Sequence, residues 1–513
     1  MRNLNRRTFI LGGIAAGGLA ATGTGLAMPR GARAATTPLP YPFTLGVASG
    51  DPSPDGFVLW TRLAPGPLAI DGLGGMPDRD VEVTWEVATD EAMTDVVASG
   101  TVVAVQTSSH SVHVEPAGLA PARDYYYRFT AEGSQSPVGR TRTAPAAGTL
   151  PSQLVFDVAS CAHFEQGWYH AYRYMAADRP DLVLFLGDYI YEKTSSISSD
   201  VRGYVITSEV QTLAQYRQRY AQHRTDPALQ AAHAAAPWIV VFDDHELKNN
   251  WAGADTTDPS PARRAAAFQA YYENMPLRAS AVPAGSAMPL YRQLDWGTLA
   301  RFHMLDTRQF RSPQAASGDC ATIRSTSRTL TGALQEQWLL DAFTDHTARW
   351  DFLGQQVMFA QSDTDGSAST CDVNTDAWDG YTAQRQRITQ GWVDRGVRNP
   401  VVLTGDVHRH WAANLKLDYW NTSAAPVGTE LVATSISSVN QQADPSAAFL
   451  AANPHLRYVG NKRGYVRATL TPAQLTAEFV TVSSAFQSDP AKVTSSVARR
   501  FAVLDGQPGL KDA

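Results

Sequence analysis

Cysteine is scarce in this chain of 513 residues: there are three, an odd number. That excludes a scaffold built on disulfides. Lysine and arginine form no run after the first residues, and the net charge is only -6. A nucleic-acid scaffold is thereby excluded, although a single nucleotide or a phosphodiester could still be a substrate. No stretch beyond the N-terminal region is long and apolar enough to span a bilayer. There is no Gly-x-Ser-x-Gly elbow, no P-loop and no internal repeat. What the chain does have is 44% apolar residues with 12 Trp, 19 Tyr and 18 Phe, the composition of a globular protein. Its length predicts two domains.

The first residues read as an export signal. Asn5-Arg6-Arg7-Thr8-Phe9-Ile10 is a twin-arginine pattern, followed by an Ala/Gly/Leu run from Leu11 to about Ala27. Ala32-Arg33-Ala34 is a cleavage site of A-x-A type, so residues 1–34 are expected to be a signal peptide. The expected partner is the twin-arginine translocation machinery, which carries folded proteins. The expected location is periplasmic or extracellular, and the expected state is a monomer.

Residues 41–147 read as an N-terminal β-sandwich domain. Val81–Val87 alternates with period two, and Val112–Glu115 and Tyr125–Phe129 are further β-rich runs. Leu119-Ala120-Pro121-Ala122-Arg123-Asp124-Tyr125 resembles the corner before a late strand of immunoglobulin-like sandwiches. Ala144–Ser152 is a linker. From there the pattern becomes strand, loop, helix, and residues 151–485 read as an α/β catalytic domain. Its buried strands are expected at Leu154–Ala159, Leu182–Leu186, Trp238–Phe242, Phe302–Asp306, Trp350–Gly354 and Pro400–Thr404, with a helix over Trp168–Ala177. Residues 486–513 read as a polar C-terminal helix and tail.

Four short patches follow such strands: Ser160-Cys161-Ala162-His163, Gly187-Asp188-Tyr189-Ile190-Tyr191-Glu192, Asp243-Asp244-His245-Glu246 and Gly405-Asp406-Val407-His408. Carboxyl ends of strands are where α/β folds build sites. Carboxylate, imidazole, thiolate and phenolate together are metal ligands suited to phosphoryl chemistry. Asp188 is the best bridge between two ions. Tyr191 could reach the same ion, and a phenolate suits Fe(III). Cys161 and His408 are candidates for that ion. His163 either joins them or hydrogen-bonds the phosphate. Asp244, Asp406 and Asn250 would form an oxygen-rich shell for Ca(II), Mg(II) or Mn(II). His245 is placed to touch the phosphate or the leaving group. Glu246 could bind metal or orient His245, and Glu192 could bind Ca(II) or support the site. Arg308 and Arg311 contact phosphate or form structural ion pairs. Cys320 and Cys371, both in loop-like sequence, are expected to pair, and a metal would explain why Cys161 stays single.

These residues resemble the alkaline phosphatase D family, secreted metallophosphoesterases with likeness to purple acid phosphatases. The resemblance also rests on Phe43–Pro52, Leu59-Trp60-Thr61-Arg62, Asn249-Asn250, Leu305-Asp306-Thr307-Arg308 and Gly354-Gln355-Gln356-Val357-Met358. It implies a four-layer α/β/β/α metallophosphoesterase domain behind an immunoglobulin-like or fibronectin-III-like domain. It implies Fe(III) on Cys161, Asp188, Tyr191 and His408, and Ca(II) on Asp188, Asp244, Asn250 and Asp406. A metal-bound hydroxide or oxide would attack phosphorus in a monoester or a diester. His163 departs from the family pattern, in which Asn is more usual. The alternatives are a phospholipase D-like diesterase acting on lipid headgroups, and an inactive surface or binding protein that keeps the fold.

Overall fold

The computed structural model describes residues 39–513 apart from Thr256 and Gln441. The twin-arginine segment lies outside the described residues. Two large sheets dominate. At the centre of the ten-stranded sheet, Leu154–Ala159, Leu182–Leu186, Pro237–Val241 and Val47–Ser53 run parallel as neighbours. Gly464–Leu470, Gln474–Val482, Ser495–Leu504 and Gln507–Asp512 extend it antiparallel on one side, and Gly56–Arg62 and Ser111–Val114 on the other. In the seven-stranded sheet, Ala300–Met304, Trp350–Gly354, Pro400–Thr404 and Gly428–Val432 are parallel. Arg292–Trp296, His410–Leu415 and Leu456–Gly460 complete its margins.

Strands apolar on both faces need cover on both faces, and the packing supplies it. Phe156 of the first sheet meets Phe302 and Phe352 of the second edge-on, with centroids 5.6 and 5.5 Å away. Their neighbours point the other way. Val401 and Leu403 join the core shared by the sheets, whereas Leu353 and Val402 join a second core. The helices Gly332–Ala342 and Thr382–Asp394 close that second core with Leu339, Ile388 and Trp392. The helices His170–Asp178 and Pro227–Ala235 contribute Tyr172, Met175 and Leu229 to the first.

The expected domain at 41–147 is corrected in one respect. Val47–Ser53, Gly56–Arg62 and Ser111–Val114 are hydrogen-bonded into the ten-stranded sheet. Only Val81–Ala88, Val96–Ala104, Asp124–Ala131, Ser134–Gln135 and Gly139–Arg142 form a sheet of their own. The two share a core in which Val81, Val83 and Tyr127 pack with Phe57 and Leu59. The Tyr125 hydroxyl accepts a bond from the Ala120 amide at 2.9 Å, which makes the expected corner. The expected C-terminal helix over 486–513 is also corrected. Ser495–Leu504 and Gln507–Asp512 are strands, so the α/β part runs past residue 485. Among the described residues no helix is long and apolar enough to cross a membrane.

Candidate metal centre

The four patches meet where the two sheets bring their carboxyl ends together. Cys161, Asp188 and the Asp243–Glu246 turn follow strands of the first sheet; Asp406 and His408 follow Pro400–Thr404 of the second. Backbone bonds knit the ends: the Cys161 amide donates to Gly187 (3.1 Å) and the Ala162 amide to Asp188 (2.9 Å). A Cβ on Gly405 would lie 2.7 Å from the Ser160 Cβ, so only glycine allows this approach. Cys161, Asp188, Asn250, Asp406 and His408 all have φ between 54° and 61°. That left-handed geometry is uncommon for residues other than glycine and gathers at functional sites. At Cys161, Asp188, Asp406 and His408 it turns the side chain off its strand toward the shared site.

Three overlapping ligand groups result: Cys161 with Asp188 and His408; Asp188 with Asp244 and His245; and Asp243 with Asp244 and Asp406. Within each, candidate ligand atoms lie within 4.8 Å of one another. Asp188 belongs to two groups. Its Oδ2 accepts from the Tyr191 hydroxyl at 2.9 Å, and its Oδ1 from the His245 amide at 3.3 Å. The Tyr191 oxygen also lies 3.1 Å from His408 Nε2. Cys320 and Cys371 form a disulfide with Cα atoms 5.4 Å apart, which leaves Cys161 free and buried.

The carboxylates outnumber the cations that face them. Burial pushes Asp188 and Asp406 well above the usual carboxylate range, and raises Asp243 to about 6 against the pull of Arg308. Burial, with Asp188 behind it, also raises the Cys161 thiol and the Tyr191 phenol. Burial opposes charge on His245, but Asp244, Asp188 and Glu192 overcome it and lift the imidazole well above its usual range. Burial depresses His163 strongly and takes His408 down to about 3, so both are neutral and able to offer a lone pair. Asp243 Oδ2 and Asp244 Oδ1 are buried without a hydrogen-bond partner. Buried carboxylate oxygens left unpaired are costly unless a cation occupies the space between them. The donor set therefore fits metal binding, with the Cys161 thiol, the Tyr191 phenol and the His408 imidazole on one side of Asp188 and Asp244 with His245 on the other.

The remaining candidates fall into supporting positions. Glu246 accepts from the amides of Asp188 (3.1 Å), Tyr189 (2.5 Å) and Asp243 (2.9 Å), and so clamps two of the strand ends. Glu192 bonds His245 Nδ1 at 2.6 Å and the Asn249 amide at 3.0 Å. The Asn250 amide donates to Asp244 at 2.6 Å, and its side chain is exposed at the mouth. His163 is buried, 4.3 Å from the Tyr191 ring centre, and its Nδ1 accepts from the Glu165 amide at 3.3 Å. Arg308 is structural in its contacts: fully buried, it lies 2.5 Å from Asp243, 3.6 Å from Asp244 and 3.0 Å from Asp376. Arg311 pairs with Asp376 at 2.5 Å.

Two participants escaped the sequence reading. Ser438 Oγ lies 2.8 Å from both the Tyr191 oxygen and the Cys161 carbonyl, and its one proton serves either. Asp376 neutralises the arginine that holds Asp243. Asp376 follows no strand and Ser438 stands six residues beyond Gly428–Val432, so nothing local marks them.

Two family models match the chain: the PhoD-like phosphatase over residues 156–479, and the PhoD-like phosphatase N-terminal domain over residues 30–145. The chain is 45% identical to alkaline phosphatase D of Bacillus subtilis (strain 168), across 99% of this chain and 89% of that protein. A solved structure of PhoD superposes with a TM-score of 0.88 at 44% identity, covering 93% of each chain. Purple acid phosphatase PPD1 from yellow lupin superposes with a TM-score of 0.57 at 12% identity, over 90% of this chain and 74% of that one. At that identity the likeness is one of fold.

Proposed function

The chain belongs to the PhoD-like phosphatase family and is a phosphoric ester hydrolase, and from this premise we propose that it is an exported, metal-dependent alkaline phosphatase and phosphodiesterase. The fold is read as four α/β/β/α layers, with the five-stranded sheet and its facing strands as an immunoglobulin-like module. Fe(III) would be held by Cys161, Asp188, Tyr191 and His408. Ca(II) would be held by Asp188, Asp244, Asn250 and Asp406. The observation that carries this reading is that Asp188 belongs both to the group with Cys161 and His408 and to the group with Asp244 and His245, while Asp244 in turn joins Asp243 and Asp406. Bound there, the ions supply Lewis acidity to the phosphate and to the water that attacks it.

The protein's own groups then have distinct tasks. Asp188 fixes the spacing of the two halves of the site through its two oxygens. Glu246 holds Asp188 and Asp243 rigidly, by three amide bonds, against the crowding of like charges. His245, charged and steadied by Glu192, donates a proton to the leaving oxygen as the P–O bond breaks. His163 carries its proton on Nε2, because Nδ1 accepts from Glu165, and donates a hydrogen bond to a phosphoryl oxygen. Ser438 orients the Tyr191 oxygen. The assembled ligand set speaks against an inactive binding protein.

The test is elemental analysis of protein exported through a twin-arginine-competent host, together with assays on p-nitrophenyl phosphate and bis(p-nitrophenyl) phosphate. About one Fe with one or two Ca per chain and hydrolysis of both esters is expected. Full activity in metal-free protein would overturn the reading.

A further inference from the structure

A cleft of about 880 Å³ opens beside Asp406 and His408. A phosphate between two ions fills little of such a space, and clefts of this size enclose organic ligands. Its walls come from the turn after Pro400–Thr404, the segment around Val439–Phe449 and the loop that follows Gly354. Val407, Trp411, Val439, Phe449 and Met358 give it apolar surface. Ser362, Asn374, Asn440 and Ser446 add polar groups without charge. Trp411 and Phe449 form an aromatic corner, centroids 6.2 Å apart and inclined at 59°. The corner is firmly set. Trp411 is buried in the second core, and the Phe449 amide donates to the Ser446 hydroxyl at 3.1 Å.

The one guanidinium of the cleft is already committed. Arg409 donates to the carbonyls of Gln442 and Ala443 and lies 3.6 Å from Asp444. Asp372 sits exposed at the rim and accepts from Ser317 at 3.3 Å. A ligand carrying further phosphates would find no free cation among these lining residues. A quaternary ammonium would share the wall with the Arg409 guanidinium. An uncharged arm with an apolar face meets neither penalty.

We propose that this cleft is the subsite for the alcohol arm of the phosphoester, that it selects an uncharged aryl or alkyl arm, and that Trp411 and Phe449 determine that selection. The inference rests on the phosphoesterase reading and specifies its substrate class. Phosphonates with one arm each, methyl, phenyl or trimethylammonioethyl, test it without being hydrolysed. Calorimetry on the metal-loaded protein and inhibition of p-nitrophenyl phosphate hydrolysis are both read. Phenylphosphonate is expected to bind roughly tenfold or more tightly than methylphosphonate, from the apolar area it buries. Phe449→Ala should erase most of that difference and leave methylphosphonate within about twofold, while Phe449→Leu restores part of it. Because Phe449 lies on a half-exposed surface helix, and methylphosphonate binding reports an intact site, a misfolded variant is recognisable. Equal binding of the methyl and phenyl ligands to the wild type overturns the proposal. So does tightest binding of the cationic arm, or a Phe449→Ala protein that binds methylphosphonate normally and keeps the full preference for phenylphosphonate. Selective phenylphosphonate binding by a protein that hydrolyses no ester would uphold the subsite and overturn the phosphoesterase reading instead.

Discussion

Replacing Gly187 by alanine tests how the site is held together. Gly187 has a φ of 102°, and a Cβ there would sit 2.5 Å from the Asp243 Cβ and 2.7 Å from the Asp243 amide nitrogen. Carbon atoms in contact prefer about 3.5–4.0 Å, so the Asp243 backbone would have to retreat by about 1 Å. Backbone strain at such a φ costs about 1–3 kcal/mol and overpacking about 1–3 kcal/mol more. The sum is about 2–6 kcal/mol of stability. The retreat also moves the turn that carries Asp244 and His245, and a displacement of about 1 Å can cost about a hundredfold in rate. Urea unfolding should show the stability loss, and kcat/KM on p-nitrophenyl phosphate should fall by roughly two orders of magnitude. Gly203→Ala is the control, since nothing lies within 4 Å of its Cβ position. A Gly187→Ala protein with wild-type stability and rate would refute the reasoning.

Cys161→Ser should lose iron and most activity, because a hydroxyl is a poor substitute for a thiolate ligand; normal iron content by elemental analysis would remove Cys161 from the ligand set. Chelation of calcium by EGTA should inactivate the enzyme, and added Ca(II) should restore it; indifference to EGTA means that the oxygen-rich group holds another ion. Stability should fall with acid through two histidines remote from the site. Burial takes His113 and His455 down to about 4, so between pH 6.5 and 4 the unfolded chain binds more protons than the folded one. Each group then costs about 2 kcal/mol at pH 5 relative to pH 7, and the urea midpoint should fall over that window; replacing His113 with Gln should flatten the slope, and an unchanged slope refutes the assignment.

The parts of the site legible in the sequence were those set by local pattern. An apolar run that stops at Gly-Asp or at Asp-Asp-His-Glu announces a buried strand and a side chain turned out of it. Tyr125 announced its corner because the hydroxyl closes on a backbone group five residues back. Sheet partners were not legible in this way. Gly56–Arg62 is buried throughout and nothing in its residues names its sheet, and neighbouring Val47–Ser53 pairs with Pro237 and Trp238, far along the chain. Ser495–Leu504 escaped as a strand because its first six residues are exposed, which removes the apolar alternation and leaves a polar run. Asp376 was invisible because its meaning lies in Arg308, 68 residues away, and in the carboxylates that Arg308 already serves.

The place of those last strands bears on how the molecule is made. The central strand Leu154–Ala159 has Leu182–Leu186 on one side and Gly464–Leu470 on the other. During synthesis the second neighbour emerges some 300 residues after the first, about half a minute later at roughly 10 residues per second. Until then a strand that is apolar except for Asp157 waits with an open edge, a template for pairing with other chains. A nascent chain interrupted before Gly464 is thus a precursor of aggregates. Holding that edge while translation finishes is work for a chaperone.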